Sequence, residues 1–264
     1  MTRLLFVGDI MGSAGRKAVA DHLEELVDRE RVDFVIANVE NAAGGFGITS
    51  EVLAELEVYP VDVWTTGNHV WDKKEGVPLL DAHPALLRPA NYPEGNPGRG
   101  WCIEETAAGV PVAVINLQGQ AMMPPIDNAF RKADEVLEAI RAARPELRLI
   151  VVDMHAEATS EKQAMGWYLD GRVTAVLGTH THVPTADERI LPQGTAFQTD
   201  VGMTGPYESI IGMKPAKVLE RFLLNTPRPF EPAKRGIELR GALIDADEAT
   251  GKATAIRRVT IKAD

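Results

Sequence analysis

The sequence predicts an α/β fold, and three observations lead there. Five short apolar runs, at 4–7, 34–36, 61–64, 149–152 and 173–177, read as buried strands. Helix-like stretches alternate with them through the first two-thirds of the chain, the pattern of βαβ units. Each run also ends in residues able to hold a metal: Gly8-Asp9, Asn38-Val39-Glu40-Asn41, Gly67-Asn68-His69, Asp153-Met154-His155 and Gly178-Thr179-His180-Thr181-His182. Open α/β sheets bind ligands beyond the carboxyl ends of their strands. The five clusters are therefore expected at one edge of one sheet.

The remaining elements follow in order. Ser13 can cap a helix over about 14–29, whose Ala14, Val19, Leu23, Leu26 and Val27 recur at three- and four-residue steps. Ser50 begins a short helix through Leu56. Pro84, Pro89, Pro93, Gly95, Pro97, Gly98 and Gly100 make 84–100 a long loop, and 112–117 is a further buried strand. Asp127 or Asn128 starts an amphipathic helix with Ala133, Val136, Leu137 and Ile140 on one face, stopped near Arg144 by Pro145. Short strands are expected near 188–191 and 195–198. Gly202, Gly205 and Gly212 make 200–213 irregular, and a helix follows near 215–224. Residues 237–245 and 253–261 alternate apolar and polar, so they close the chain as a hairpin. With no repeat, low-complexity tract or linker, the reading is one domain over 1–264.

Apolar residues make up 45% and charged residues 25% of the chain, ordinary for a globular protein. No stretch approaches the roughly 20 apolar residues of a membrane helix. The first apolar run meets Asp9 after four residues, so no signal peptide is expected. Cys102 is the one cysteine. It excludes an intramolecular disulfide and a cysteine-based zinc site and fits a reducing cytoplasm. A net charge of −10 argues against gripping long nucleic acid through many phosphate contacts. It does not exclude a small phosphorylated substrate, because bound metal ions can be the largest local charges in a site.

The candidate ligands, Asp9, Glu40, Asn41, Asn68, His155, His180 and His182, offer only nitrogen and oxygen. Imidazole with carboxylate suits iron, manganese, zinc or nickel. Seven ligands exceed one tetrahedral ion. They suit two ions about 3.5–4 Å apart that share a carboxylate, the clamp used for in-line displacement at phosphorus. A hydroxide bridging the ions would be the nucleophile. His180 and His182 lie two apart, so in an extended segment both rings face one side. His155, Asn41 and Asn68 would each pass for structural residues alone; they gain meaning from the other clusters. His69, beside Asn68, is the candidate general acid, since an ordinary histidine pKa suits proton donation. Gly12-Ser13-Ala14-Gly15-Arg16-Lys17 and Gly45-Phe46-Gly47 fail the spacings of phosphate-binding loops and are expected as flexible loops beside the site.

These motifs resemble the calcineurin-like metallophosphoesterases. The longer strings Phe6-Val7-Gly8-Asp9-Ile10-Met11-Gly12, Asn38-Val39-Glu40-Asn41-Ala42-Ala43-Gly44-Gly45 and Thr66-Gly67-Asn68-His69-Val70-Trp71, with the run from Asp200 to Met213, resemble the bacterial YmdB-like branch over nearly the whole chain. Two departures from the wider superfamily stand out. Met11 occupies the place of the first motif's histidine, and Glu40 that of the usual bridging aspartate. The resemblance implies a four-layer α-β-β-α sandwich with the site at the strand ends. It implies one ion on Asp9, Glu40, Asn41 and His182, a second on Glu40, Asn68, His155 and His180, and His69 as proton donor. It further implies hydrolysis of 2′,3′-cyclic nucleotides to 3′-phosphates with iron, or alternatively manganese or zinc. Alternatives are a phosphomonoesterase or protein phosphatase on the same site, and a non-enzymatic, metal-dependent regulatory protein. RNA ends as substrates and a homo-oligomer stay open.

Overall fold

The computed structural model describes residues 1–262; the last two residues of the expected 1–264 domain lie outside the described residues. The chain begins with β1 (Thr2–Val7), the two-residue β2 (Asp9–Ile10) and helix α1 (Gly12–Glu30). Next come β3 (Phe34–Asn38), α2 (Ser50–Leu56), β4 (Val63–Thr65) and, after a 3₁₀ turn over Asn68–Trp71, the short α3 (Leu79–Ala82). The middle of the chain supplies β5 (Trp101–Glu105), β6 (Pro111–Gln118), α4 (Ala129–Ala143), β7 (Leu149–His155), α5 (Thr159–Leu169) and β8 (Ala175–Thr179). It ends with β9 (Arg189–Ile190), β10 (Ala196–Gln198), β11 (Met203–Pro206), α6 (Pro215–Leu224), β12 (Ile237–Ala246) and β13 (Ala253–Lys262).

Two sheets form, which corrects the expectation of a single sheet edge. One runs β2-β11-β12-β1-β3-β4, with β13 on β12; the other runs β5-β6-β7-β8-β10-β9. Strands β1, β3 and β4 are parallel, as are β6, β7, β8 and β10. Their carboxyl ends therefore point the same way within each sheet. The expected closing hairpin is the antiparallel pair β12–β13.

Side-chain alternation explains why these strands read as unbroken apolar runs: both faces are buried. On β1, Leu5 and Val7 join an apolar cluster with Val19, Leu23 and Leu26 of α1 and Leu53 of α2. Leu4 and Phe6, one residue out of step, join Val112, Val114, Val151 and Leu177 of the other sheet. Ile115, Ile150 and Val152 turn to Leu137 and Ile140 of α4 and Met165 of α5.

Several local expectations change. Met11, not Ser13, is the N-cap of α1, so the Gly12–Lys17 stretch is helix rather than flexible loop. Thr49 caps α2 by accepting the Val52 N–H. The 200–213 segment is not wholly irregular. Its Met203–Pro206 pairs with β2 and β12, and a Cβ on Gly205 would lie 2.8 Å from that of Met11, so only glycine allows this approach. β5 and α5 carried no periodic signal and were not expected.

Candidate metal centre

Each predicted site residue emerges from the end of a parallel strand or just beyond it. Asp9 follows β1, Glu40 and Asn41 follow β3, and Asn68 and His69 open the turn after β4. These belong to the first sheet. His155 is the last residue of β7, while His180 and His182 follow β8, so the second sheet supplies the imidazoles. Asp9, Glu40, Asn41, His155 and His182 are buried. Two glycines permit the convergence. A Cβ on Gly67 would sit 2.2 Å from the His155 ring and 2.4 Å from Glu40 Oε2; one on Gly8 would sit 2.0 Å from the Gly202 carbonyl oxygen. His180 and His182 reach the site with φ of 93° and 64°. Their segment is thus not extended, although both rings line one cavity as expected. Left-handed backbone at non-glycine residues costs energy and persists where surrounding structure enforces it.

Around His155 Nε2 stand Glu40 Oε1 at 3.0 Å, Asn68 Oδ1 at 3.0 Å and His180 Nδ1 at 3.1 Å. Glu40, His155 and His180 place one ligand atom each within 4.8 Å of one another. On the other side of Glu40, the Asn41 side-chain amide donates to Glu40 Oε1 at 3.3 Å and to His182 Nε2 at 3.0 Å. An end-for-end turn of that amide would present its oxygen at the same place. Asp9 accepts the His180 N–H through Oδ2 at 3.2 Å, while its buried Oδ1 has no hydrogen-bond partner.

The far nitrogen of each imidazole is tied down. His155 Nδ1–H donates to Thr179 Oγ1 at 2.9 Å, and the Thr179 hydroxyl donates to Asp153 Oδ1 at 2.6 Å. Asp153 Oδ2 accepts from Thr65 Oγ1 at 2.5 Å and Asn38 Nδ2 at 3.0 Å. His180 Nε2 meets Glu157 Oε2 at 3.1 Å, and His182 Nδ1–H donates to the Ile211 carbonyl at 3.0 Å. Each ring therefore turns its other nitrogen, with its lone pair, toward the cluster. That is the outer arrangement metal-binding histidines use. The orphaned Asp9 oxygen and these inward lone pairs fit a bound cation.

Charge follows from burial and pairing. Burial raises the Asp9 carboxyl. It acts the same way on Glu40, but the facing His155 charge and hydrogen bond outweigh it and bring Glu40 down to about 2. Burial would lower His155, yet the Glu40 carboxylate raises it to about 9. His180, partly buried and beside the His155 charge, falls to about 3 and is neutral. Without a metal, a proton on His155 Nε2 faces the Glu40 carboxylate, the Asn68 carbonyl and His180 Nδ1, three acceptors around one nitrogen.

Residues outside the expected set complete the site. Lys162 of α5 and Asp200 form a buried ion pair at 2.6 Å. The same Asp200 oxygen accepts the Thr181 hydroxyl at 2.6 Å and the Thr181 N–H at 3.2 Å, fixing the residue between the two histidines. Asp153 was legible in principle, since it lies two before His155 on β7 and so on the same face. Glu157 and Lys162 carried no such signal.

His69 lines the cavity beside the cluster. Its Nδ1 is 2.8 Å from Asp72 Oδ2, its N–H donates to Glu40 Oε2 at 3.1 Å, and its ring meets Phe46 edge-on at 5.0 Å. The cavity measures about 630 Å³, within the range of small-molecule sites.

Two sheets whose parallel strands converge on a buried carboxylate–imidazole cluster define an α/β protein of phosphoesterase-like build. Residues 5–259 match the YmdB-like protein family, and the chain belongs to that family. It is 49% identical over 262 residues to the 2′,3′-cyclic-nucleotide 2′-phosphodiesterase of Bacillus subtilis (strain 168), covering 99% of this chain and 98% of that protein. Among solved structures, a hypothetical protein from Thermus thermophilus superposes with a TM-score of 0.92 at 42% identity, over 100% of both chains. A novel phosphatase from Mycoplasma pneumoniae does so with a TM-score of 0.91 at 34% identity, over 99% of this chain and 93% of that one.

Proposed function

We propose that the protein is a dinuclear-metal phosphodiesterase that opens 2′,3′-cyclic nucleotides to 3′-phosphates. One observation carries this reading. Three imidazoles, each tied at one nitrogen, turn the other inward, His155 and His180 beside Glu40 and His182 onto Asn41, next to a cavity lined by His69, which pairs with Asp72. The similarity to a cyclic-nucleotide phosphodiesterase supplies the substrate class. Asp9, Glu40, Asn41 and His182 would hold one ion; Glu40, Asn68, His155 and His180 would hold the other. Iron is the metal favoured, with manganese or zinc as alternatives. When bound, such ions supply nucleophile activation and neutralise phosphate charge.

The chain's own residues do the rest. Asp72 fixes the His69 ring through Nδ1, leaving Nε2 to carry the proton to the departing ribose oxygen. The Glu40 contact to the His69 N–H holds that turn against the cluster. The four-layer arrangement and the single domain over 1–264 are part of the reading. Three apolar clusters, one joining the sheets and one beside each outer helix pair, support the first; the family match over 5–259 supports the second. RNA ends as longer substrates, a homo-oligomer and a cytoplasmic setting stay within the proposal. No described helix is long and apolar enough to cross a membrane.

The test is hydrolysis of 2′,3′-cyclic adenosine monophosphate by wild type and His69→Ala, with the product isomer identified. A 3′-phosphate from wild type is expected. His69→Ala should keep its metal and lose turnover, most severely on substrates with poor leaving groups. Equal losses on good and poor leaving groups would reject the acid role. The similarity to a phosphatase keeps a monoesterase as the second reading; faster hydrolysis of an aryl monoester than of a bis-aryl diester would favour it.

A further inference from the structure

The cavity that opens onto Glu40, His180 and His182 has a second half of opposite character. Away from the cluster its walls are Phe46, Ile211, Met213, Arg221, Phe222 and Phe230. Phe46 stands edge-on to His69, so the aromatic wall begins at the proposed proton donor. The Arg221 guanidinium lies over the Phe230 ring, 5.1 Å from its centroid, so a planar cation and an aromatic ring share that wall. Phe222 is 80% exposed at this wall. A phenyl ring so exposed adds little to the fold, and exposed aromatic surface beside a site marks a ligand surface.

We propose that this half is a nucleobase slot, an inference that rests on the cyclic-nucleotide reading above. A cyclic phosphate held at the cluster places its ribose near His69, and the base is the flat, weakly polar part of the ligand left to lie against the phenyl rings. Bases stack on aromatic side chains and on guanidinium planes. Among the described residues lining this half, Arg221 is the one cation, and no neutral hydrogen-bonding side chain stands there. Thr181, the nearest hydroxyl on the lining, is taken by Asp200. The slot thus holds a base by its face without reading its edge, so purines and pyrimidines both enter. Stacking is tolerant in this way because every base has a π-face.

The test compares wild type with the Phe222→Ala/Phe230→Leu double variant. Phe222 is exposed, and leucine keeps the apolar volume at Phe230 while removing its aromatic face. The probes are the four 2′,3′-cyclic nucleoside monophosphates, glycerol 1,2-cyclic phosphate, which has the ring but no base, and adenosine 3′-monophosphate, whose binding is read by calorimetry. Wild type should process all four bases within about tenfold of one another, and the variant should raise every KM on the order of tenfold. Adenosine 3′-monophosphate should bind about tenfold more weakly, while turnover of the glycerol ester stays within about twofold. Equal losses on nucleotides and the glycerol ester would overturn the slot, as would a preference for one base beyond about 100-fold, which requires edge contacts. If no cyclic phosphate is turned over, the proposed function fails. The calorimetry still decides the slot: Phe-dependent binding upholds it, and absent or Phe-independent binding overturns it.

Discussion

Thr179→Val isolates what the layer behind the histidines contributes. The Thr179 hydroxyl accepts the His155 Nδ1–H at 2.9 Å and donates to Asp153 Oδ1 at 2.6 Å. Valine replaces that hydroxyl with a methyl group of similar size, so the change is chemical rather than steric. It leaves the imidazole N–H unpaired and takes one donor from a carboxylate already raised to about 6 by burial. An unpaired buried polar group costs about 1–3 kcal/mol. Loss of an outer partner of a ligating histidine lowers metal affinity about 10- to 100-fold. Manganese affinity by chelator competition should therefore fall within that span, and thermal unfolding of the metal-free protein should shift down. Thr179→Ser keeps the hydroxyl and should stay near wild type. Wild-type affinity in Thr179→Val, or equal impairment in serine and valine variants, would refute the reasoning.

Three further outcomes follow from the same geometry. Lys162→Met strips the buried Asp200 of its partner, a loss on the order of 3–5 kcal/mol, and should lower Tm by roughly 10 °C in a circular-dichroism melt; a shift under about 2 °C would contradict the pairing argument. Gly67→Ala forces a methyl carbon to 2.2 Å from the His155 ring and 2.4 Å from Glu40 Oε2, so the variant should keep its far-ultraviolet spectrum and lose bound metal; full metal content would mean the turn can yield. His155, raised to about 9 by Glu40 against the opposing effect of burial, stabilises the metal-free fold at pH below its ordinary value, and that contribution is lost as pH rises through 9. A metal must displace the same proton, so manganese affinity should fall about tenfold per pH unit between pH 8 and 6.5 from this group alone, and a flat profile would show that His155 is not a ligand.

The sequence announced those parts of the fold where one residue type has one use. Unbroken apolar runs marked β1, β3, β6, β7 and β8 because both faces of each are buried. The 3.6-residue period and a terminal proline marked α4. Helix α5 escaped because its buried set includes Lys162 and Gly166, which break any apolar stripe. β11 escaped because Gly205 and Pro206 read as loop residues, while here they lie in a strand held between β2 and β12. The division into two sheets was invisible to local pattern, since strand ends look alike whichever sheet they belong to; only the family resemblance implied it. The eight site residues were named from clustering at strand ends. Of their orienting partners, Asp153 and Thr179 stood within the same clusters and Asp200 and Ile211 only within a string of the family resemblance, while Glu157 approaches from a segment whose sequence carries no sign of where it folds.

Two ions sharing Glu40 is what the proposed function requires above all. Elemental analysis of untagged protein prepared without chelators, for wild type and Glu40→Gln, tests it most directly. About two iron or manganese ions per wild-type chain are expected, with loss of both in the variant, since one carboxylate would serve both positions. One ion or none in wild type after reconstitution, or an unchanged pair in Glu40→Gln, would contradict it.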